Sequence, residues 1–220
     1  MNSFTNSFLV FFSLPLIYVC IYIGLDVPID FMHITGREIP YQNYIFVGFG
    51  VVYFILLIWR SIRRWMGMYI VNKTTRFSWN EVISKDRKQR IVVYTMLEVL
   101  VMSSLAMALY FIMGVNMIPG IILFAFSLES LIFLIIGVQN KFRVGISSRA
   151  IIVADREVTV VYFSGLQKVT IGNESIYFDY IKDLQLSFPT DCIDSQLLSS
   201  FKAGVREMID KDKVLIRTKD

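Results

Sequence analysis

Glu98 and Glu129 are the only two charges inside the four long apolar stretches of this chain, so they mark where chemistry could sit. An ionisable side chain in hydrocarbon costs about 2.5–3.5 kcal/mol even on a lenient insertion scale. Each carboxylate therefore needs a partner or a task. Counted from Ile91 and Val138, and at 1.5 Å per helical residue, the two lie roughly 11 and 14 Å below the same membrane face. Two carboxylates meeting at that depth would not both ionise. Sharing a proton, binding a cation or lining a wet path are the physical options, which would make the pair an intramembrane proton or ion site. The alternative is a packing role, in which each is protonated or bonds one of the nearby hydroxyls of Ser103, Ser104, Ser127 and Ser130. No Arg or Lys lies inside a stretch to act as counter-ion.

The elements that must position these acids are the stretches themselves. Phe8–Leu25 runs 18 residues without a charge and Tyr41–Trp59 runs 19, while Ile91–Val115 runs 25 around Glu98 and Met117–Val138 runs 22 around Glu129. A bilayer core of about 30 Å takes ~20 helical residues, so four transmembrane helices are expected over residues 1–138. The 55% hydrophobic content and 18 Phe agree with a multi-pass membrane chain. The first stretch lacks a preceding basic residue and a small-residue cleavage site, so it is expected to remain as a span, with Pro15 tolerated inside it.

Charge sets the orientation. Asp26–Gln42 carries Asp26, Asp30 and Glu38 against Arg37, a net −2. Arg60–Arg90 carries nine basic residues against Glu81 and Asp86, and 9 − 2 gives +7. The positive-inside rule makes the second loop cytoplasmic, which puts both termini in the cytoplasm, with a bacterial inner membrane as the expected location. The overall +4 is then a topology signal and gives no reason to expect nucleic acid as a partner. Arg60, Arg63, Arg64, Lys73, Arg76, Arg87, Lys88 and Arg90 are expected to touch lipid headgroups or a partner protein.

Within that loop, Ser78-Trp79-Asn80-Glu81 has the form of a capping box, with Phe77 and Val82 at the spacing of a hydrophobic staple. A helix is expected to start at Trp79 and run unbroken into the third span, while the second span continues to a turn near Asn72. The spacing thus predicts a cytoplasmic helical hairpin over 60–90.

Reactive residues are scarce elsewhere. Cys20 and Cys192 have no Cys or His at ligand spacing, and His33 is the single histidine, read as a solvated loop residue. The methionines scatter around their helices and read as packing. No Ser-His-Asp set, phosphate loop or HExxH occurs, so neither an enzyme, a metal site nor a cofactor is expected.

Residues 139–220 read as a β-rich cytoplasmic domain. Phe142–Ile146, Ala150–Ala154, Val158–Phe163, Lys168–Ile171, Ser175–Tyr180 and Leu184–Phe188 are short β-branched and aromatic runs separated by turn residues, and Lys213–Thr218 adds a further candidate strand. Asp194 then caps a helix over 195–211 in which Leu198, Phe201, Val205 and Met208 form an apolar stripe. The expected fold class is a four-helix membrane part plus a small α+β domain, a curved sheet or barrel closed by a C-terminal helix.

The run Ile-Ser-Ser-Arg-Ala-Ile-Ile-Val, the strand Val-Val-Tyr-Phe-Ser-Gly-Leu-Gln-Lys-Val, then Ile-Tyr-Phe and Ser-Phe-Pro before the terminal helix resemble bacterial membrane proteins with a C-terminal pleckstrin-homology-like domain. The resemblance covers about Phe142–Ile209, roughly a third of the chain, and implies a peptide- or headgroup-binding module without catalytic residues. By layout alone the chain also resembles an inner-membrane subunit of the Bacteroidetes-type type VI secretion system. The sequence thus points to a non-catalytic, self-assembling membrane scaffold that presents a cytoplasmic domain to a protein partner. The alternative is a cation- or proton-conducting oligomer using Glu98 and Glu129.

Overall fold

A computed structural model of the chain describes residues 2–29, 33–113, 118–181, 184–209 and 214–218. Five helices are α1 (Asn2–Gly24), α2 (Gln42–Val71), α3 (Lys85–Met113), α4 (Ile118–Ile136) and α5 (Leu198–Met208). Ten strands are β1 (Pro28–Ile29), β2 (Ile34–Thr35), β3 (Trp79–Val82), β4 (Arg143–Ile146), β5 (Ala150–Ala154), β6 (Val158–Tyr162), β7 (Leu166–Ile171), β8 (Ser175–Tyr180), β9 (Gln185–Pro189) and β10 (Leu215–Thr218). Among the described residues three helices are long and apolar enough to cross a membrane: Gln42–Val71, Lys85–Phe111 and Ile118–Lys141. The short connection expected near Gly114–Pro119 falls largely outside the described residues.

The chain divides into two compact units. The first, Met1–Ile62 with Thr95–Ile132, is helical in its described residues apart from the loop between α1 and α2. Its core takes Leu16, Cys20 and Ile23 from α1, Phe46, Tyr53 and Leu57 from α2, Ala106 and Leu109 from α3, and Leu123 from α4. On α1, α2 and α3 these positions recur at three, four or seven residues, the spacing that keeps one face inward. Lipid offers no hydrophobic drive for helix association, so polar contacts and close packing must hold such a bundle together. Ser13 and Tyr53 share a hydrogen bond of 2.8 Å, and Ser103 and Ser127 share one of 2.7 Å. Ser127 also donates to the Val99 carbonyl at 3.2 Å.

The second unit, Arg63–Tyr94 with Phe133–Asp220, combines helix ends with two sheets. β3, β4, β5 and β6 form one antiparallel sheet in that order. β7, β8 and β9 form a second antiparallel run, extended by β10 in parallel beside β7. Among the described residues these are two separate four-stranded sheets, so the barrel option is not what the chain adopts. The unit is also not confined to residues after 138. Met68, Ile83, Ile91, Phe133 and Leu134 share one core with Phe142, Val153, Phe178 and Phe201.

Trp79–Val82 overturns the expected helix start. These residues pair with Arg143–Ile146 as a strand, and the Ser78 amide donates to the Ile146 carbonyl at 2.9 Å. Ser78 also gives its hydroxyl to that carbonyl, so no capping box forms there. The actual cap is Ser84, whose Oγ accepts the Arg87 amide at 3.0 Å at the head of α3. A four-residue run with Trp and Val at its ends suits a strand as well as a first helical turn, and tertiary pairing decides between them. The hairpin expected over 60–90 is therefore helical only to Val71 and again from Lys85.

The terminal helix is shorter than expected, with a 3-10 turn at Ser195–Leu197 before α5, and its expected end falls outside the described residues. Asp194 caps that turn by accepting the Gln196 amide. One glycine sets the approach of helix to strand. A Cβ on Gly67 of α2 would lie 2.1, 2.7 and 2.9 Å from three side-chain carbons of Val158, including its own Cβ, which rotation cannot move away. Gly67→Ala is expected to cost about 1–3 kcal/mol by overpacking. Chemical denaturation with no measurable loss would show that α2 and β6 are not this close.

Candidate functional site

Neighbouring residues on a helix point about 100° apart, so a pair such as Arg60 and Ser61 can reach two different helices at one level. That is how the two glutamates are held. Arg60 of α2 donates from Nη2 to Glu98 Oε2 of α3 at 2.7 Å, and their side chains are only 12% and 11% exposed. Ser130 of α4 donates to Glu98 Oε1 at 3.4 Å. Ser61 donates to Glu129 Oε1 at 2.8 Å. Three helices of the first unit are thus cross-braced at one level by five polar side chains.

No Arg or Lys lies inside the apolar stretches, yet Arg60, just past the end of one, supplies Glu98 with a counter-ion. Arg60 closes the apolar run Tyr41–Trp59 and was expected to reach outward to headgroups, but its guanidinium turns in to Glu98. The sequence offers one usable signal. Trp59 and Tyr94 are exposed aromatics of the kind that sit at a membrane interface. Glu98 lies four residues past Tyr94, about 6 Å along the helix, which is shallower than the span limits suggest and within reach of an interfacial Arg. As an ion pair the two side chains are together neutral. A neutral, hydrogen-bonded pair costs far less in hydrocarbon than a lone carboxylate.

Several of the other basic residues expected at headgroups or a partner protein make contacts within the second unit. Arg64 is 4% exposed and places its guanidinium 4.9 Å from the centre of the Phe133 ring. Arg87 donates from Nε and Nη2 to Asp155 Oδ2 at 3.0 and 2.6 Å, and its Nη1 lies 3.6 Å from Asp191 Oδ1. Arg90 pairs with Asp191 Oδ2 at 2.9 Å while remaining 63% exposed. Lys88 donates to the Asn140 side chain, and the Lys73 ammonium stands 4.2 Å over the Tyr69 ring. Arg76 is exposed in the turn Thr74–Arg76, and Arg63 is half-buried.

Sequence reasoning missed Asp155 and Asp191 because their partners lie far along the chain. Asp155 was legible only as a turn residue, and it does accept the Glu157 amide through Oδ1 at 2.9 Å. Cys192 sits beside this network, with Sγ 4.0 Å from Asp155 Oδ2. Burial, reinforced by the Asp155 carboxylate, pushes its thiol well above the usual range. A thiol whose folded pKa is raised adds stability below the unfolded pKa, and that contribution is lost as pH climbs above it. Alkylation of Cys192 in the folded chain should therefore stay slow from pH 7 to 9, a range over which an exposed thiol speeds up roughly twentyfold in all. Labelling at the rate of a free thiol would contradict its burial.

Chemically, this cluster can brace helices and hold charge. Among the described residues no group of three or more His, Cys, Asp or Glu could hold a metal ion. His33 is exposed in the loop between α1 and α2, with a left-handed backbone at φ 54°. The chain matches no protein-family model, no curated protein and no solved structure.

Proposed function

We propose that the chain is a non-catalytic integral membrane anchor that presents its β-rich domain to a cytoplasmic protein partner. The observation that carries this reading is the make-up of the second unit, in which the ends of α2, α3 and α4 share one hydrophobic core with both sheets. The helix ends are therefore part of the folded unit that a partner would meet. The contacts of Glu98 and Glu129 with Arg60, Ser61 and Ser130 favour packing over conduction, because each carboxylate already has a structural partner.

The finer architecture belongs to the same proposal. α1 contributes three buried residues to the core of the helical unit, which supports reading it as a fourth span. The +7 second loop supports both termini in the cytoplasm of an inner-membrane protein. Two sheets closed by a C-terminal helix support a pleckstrin-homology-like module, and a secretion-type assembly is one setting for such an anchor, with copies of the chain associating in the membrane.

Four measurements test the proposal together. Reporters fused after Asn72 and Asp220 should be cytoplasmic, one within residues 28–40 should be external, and a stoichiometric protein partner should co-purify from native membranes. In liposomes the unmutated chain should pass no cations. Glu129→Gln should leave stability within about 1 kcal/mol, since an amide oxygen can still accept from Ser61. An external C-terminus would overturn the anchor, and a cation flux abolished by Glu129→Gln would establish the conducting alternative.

A further inference from the structure

Three helix ends enter the second unit with almost no slack. Residues 72–78 join α2 to β3, residues 83–84 join β3 to α3, and Phe142 alone separates the helical turn Gly137–Lys141 from β4. An extended residue spans at most about 3.3–3.6 Å, so the two shorter links cannot absorb a displacement of more than a few ångströms. Side chains then tie the ends to one another. Asn72 Nδ2 of the α2 exit donates to the Lys141 carbonyl at 2.9 Å, and Lys88 of α3 donates to Asn140. The Ile83 amide, just before α3, donates to the Phe142 carbonyl at 3.2 Å.

Asn80 of β3 joins these ties. Its Nδ2 donates to the carbonyl of Val71, the last residue of α2, at 2.7 Å. Its Oδ1 accepts from Arg143 Nε, and its backbone carbonyl accepts Arg143 Nη2 at 3.0 Å. One amide thereby spends its donor on the end of α2 and its acceptor on the first residue of β4, while its backbone pairs within the sheet. Asn140 holds a left-handed turn at φ 65°, a conformation Asn tolerates better than most residues, which aims the chain from α4 into β4.

We propose that the β3–β4 pair, keyed by Asn80, is a coupling device that makes the ends of α2, α3 and α4 move as one piece with the first sheet. A shift of any one of these ends is passed to the sheet through bonds that cannot be relaxed singly. The inference rests on the fold of the second unit and stands whether or not the anchor reading does.

Hydrogen exchange on the full chain in lipid nanodiscs tests it, comparing the unmutated protein with Asn80→Ala. Exchange should rise on the order of tenfold together in three windows, 68–73, 83–88 and 137–143, because losing the half-buried Asn80 amide releases ties to all of them at once. The second-sheet window 166–180 should be unchanged. A rise confined to 79–82, or one equally large in 166–180, would overturn the coupling, the first by showing local fraying and the second by showing general destabilisation. If Asn80→Ala does not fold, Arg143→Lys decides, since a single ammonium cannot reproduce the two-point contact with Asn80. It should give a smaller rise in the same three windows, and a rise in only one of them would sink the proposal.

Discussion

Arg60→Ala is expected to destabilise the helical unit by about 3–5 kcal/mol, the cost of leaving a mostly buried carboxylate without its charge partner. The size of the effect follows from what remains. Glu98 keeps its 3.4 Å contact with Ser130, which is long and neutral, while the 2.7 Å charge-assisted bond is gone. The diagnostic is the double variant. Arg60→Ala with Glu98→Gln removes both halves of the pair and should cost less than the two single variants summed, a departure that independent effects cannot produce. Denaturation in detergent measures all three. A double variant as unstable as the sum of the singles would mean that Arg60 and Glu98 do not pair, and the cross-bracing argued here would fail with it.

That pair also shows where the sequence is informative and where it is not. Length and apolar content locate three membrane-length helices, because hydrophobic burial in a bilayer depends on local composition. The strands of the tail are legible for a related reason, since turn residues and β-branched runs are local signals, and β4 to β9 fall within a few residues of their expected places. Partner identity is another matter. Arg60 and Glu98 are 38 positions apart, and Arg87 and Asp155 are 68 apart, so no window of sequence contains either pair. Basic residues near a span are expected at headgroups by composition, and only the fold shows which of them turn inward.

The misplacement of the α3 start is more instructive, because the local signal was present and lost. Ser78 and Glu81 have the spacing of a capping box, yet a cap is worth only about 0.5–2 kcal/mol. Pairing Trp79–Val82 with β4 satisfies backbone groups along four residues and places Trp79 against α5. A tertiary gain of that kind outweighs one cap, particularly when Ser84 stands a few residues later to cap the helix instead.

The second large effect lies at that contact. Phe201→Ala should cost about 3–5 kcal/mol, the range for removing a fully buried aromatic ring. Its ring meets Trp79 of the first sheet edge-on at 5.3 Å and Phe188 of the second at 6.3 Å, so one side chain of α5 touches both sheets. Phe188 in turn stacks on Phe178 at 5.5 Å, which extends the contact into the middle of the second sheet. Truncation would leave a cavity where three elements converge, and the Trp79 Nε1 bond to Ser200 at 3.2 Å is too exposed to hold α5 in place alone. Lys202→Ala, on the outer side of the same helix, should stay within about 0.5 kcal/mol and serves as the control. Trp79 fluorescence reports the transition once Trp59 and Trp65 are replaced by Phe. A loss below about 1.5 kcal/mol for Phe201→Ala, or an unchanged Trp79 signal in the folded variant, would show that α5 does not close the two sheets through this ring.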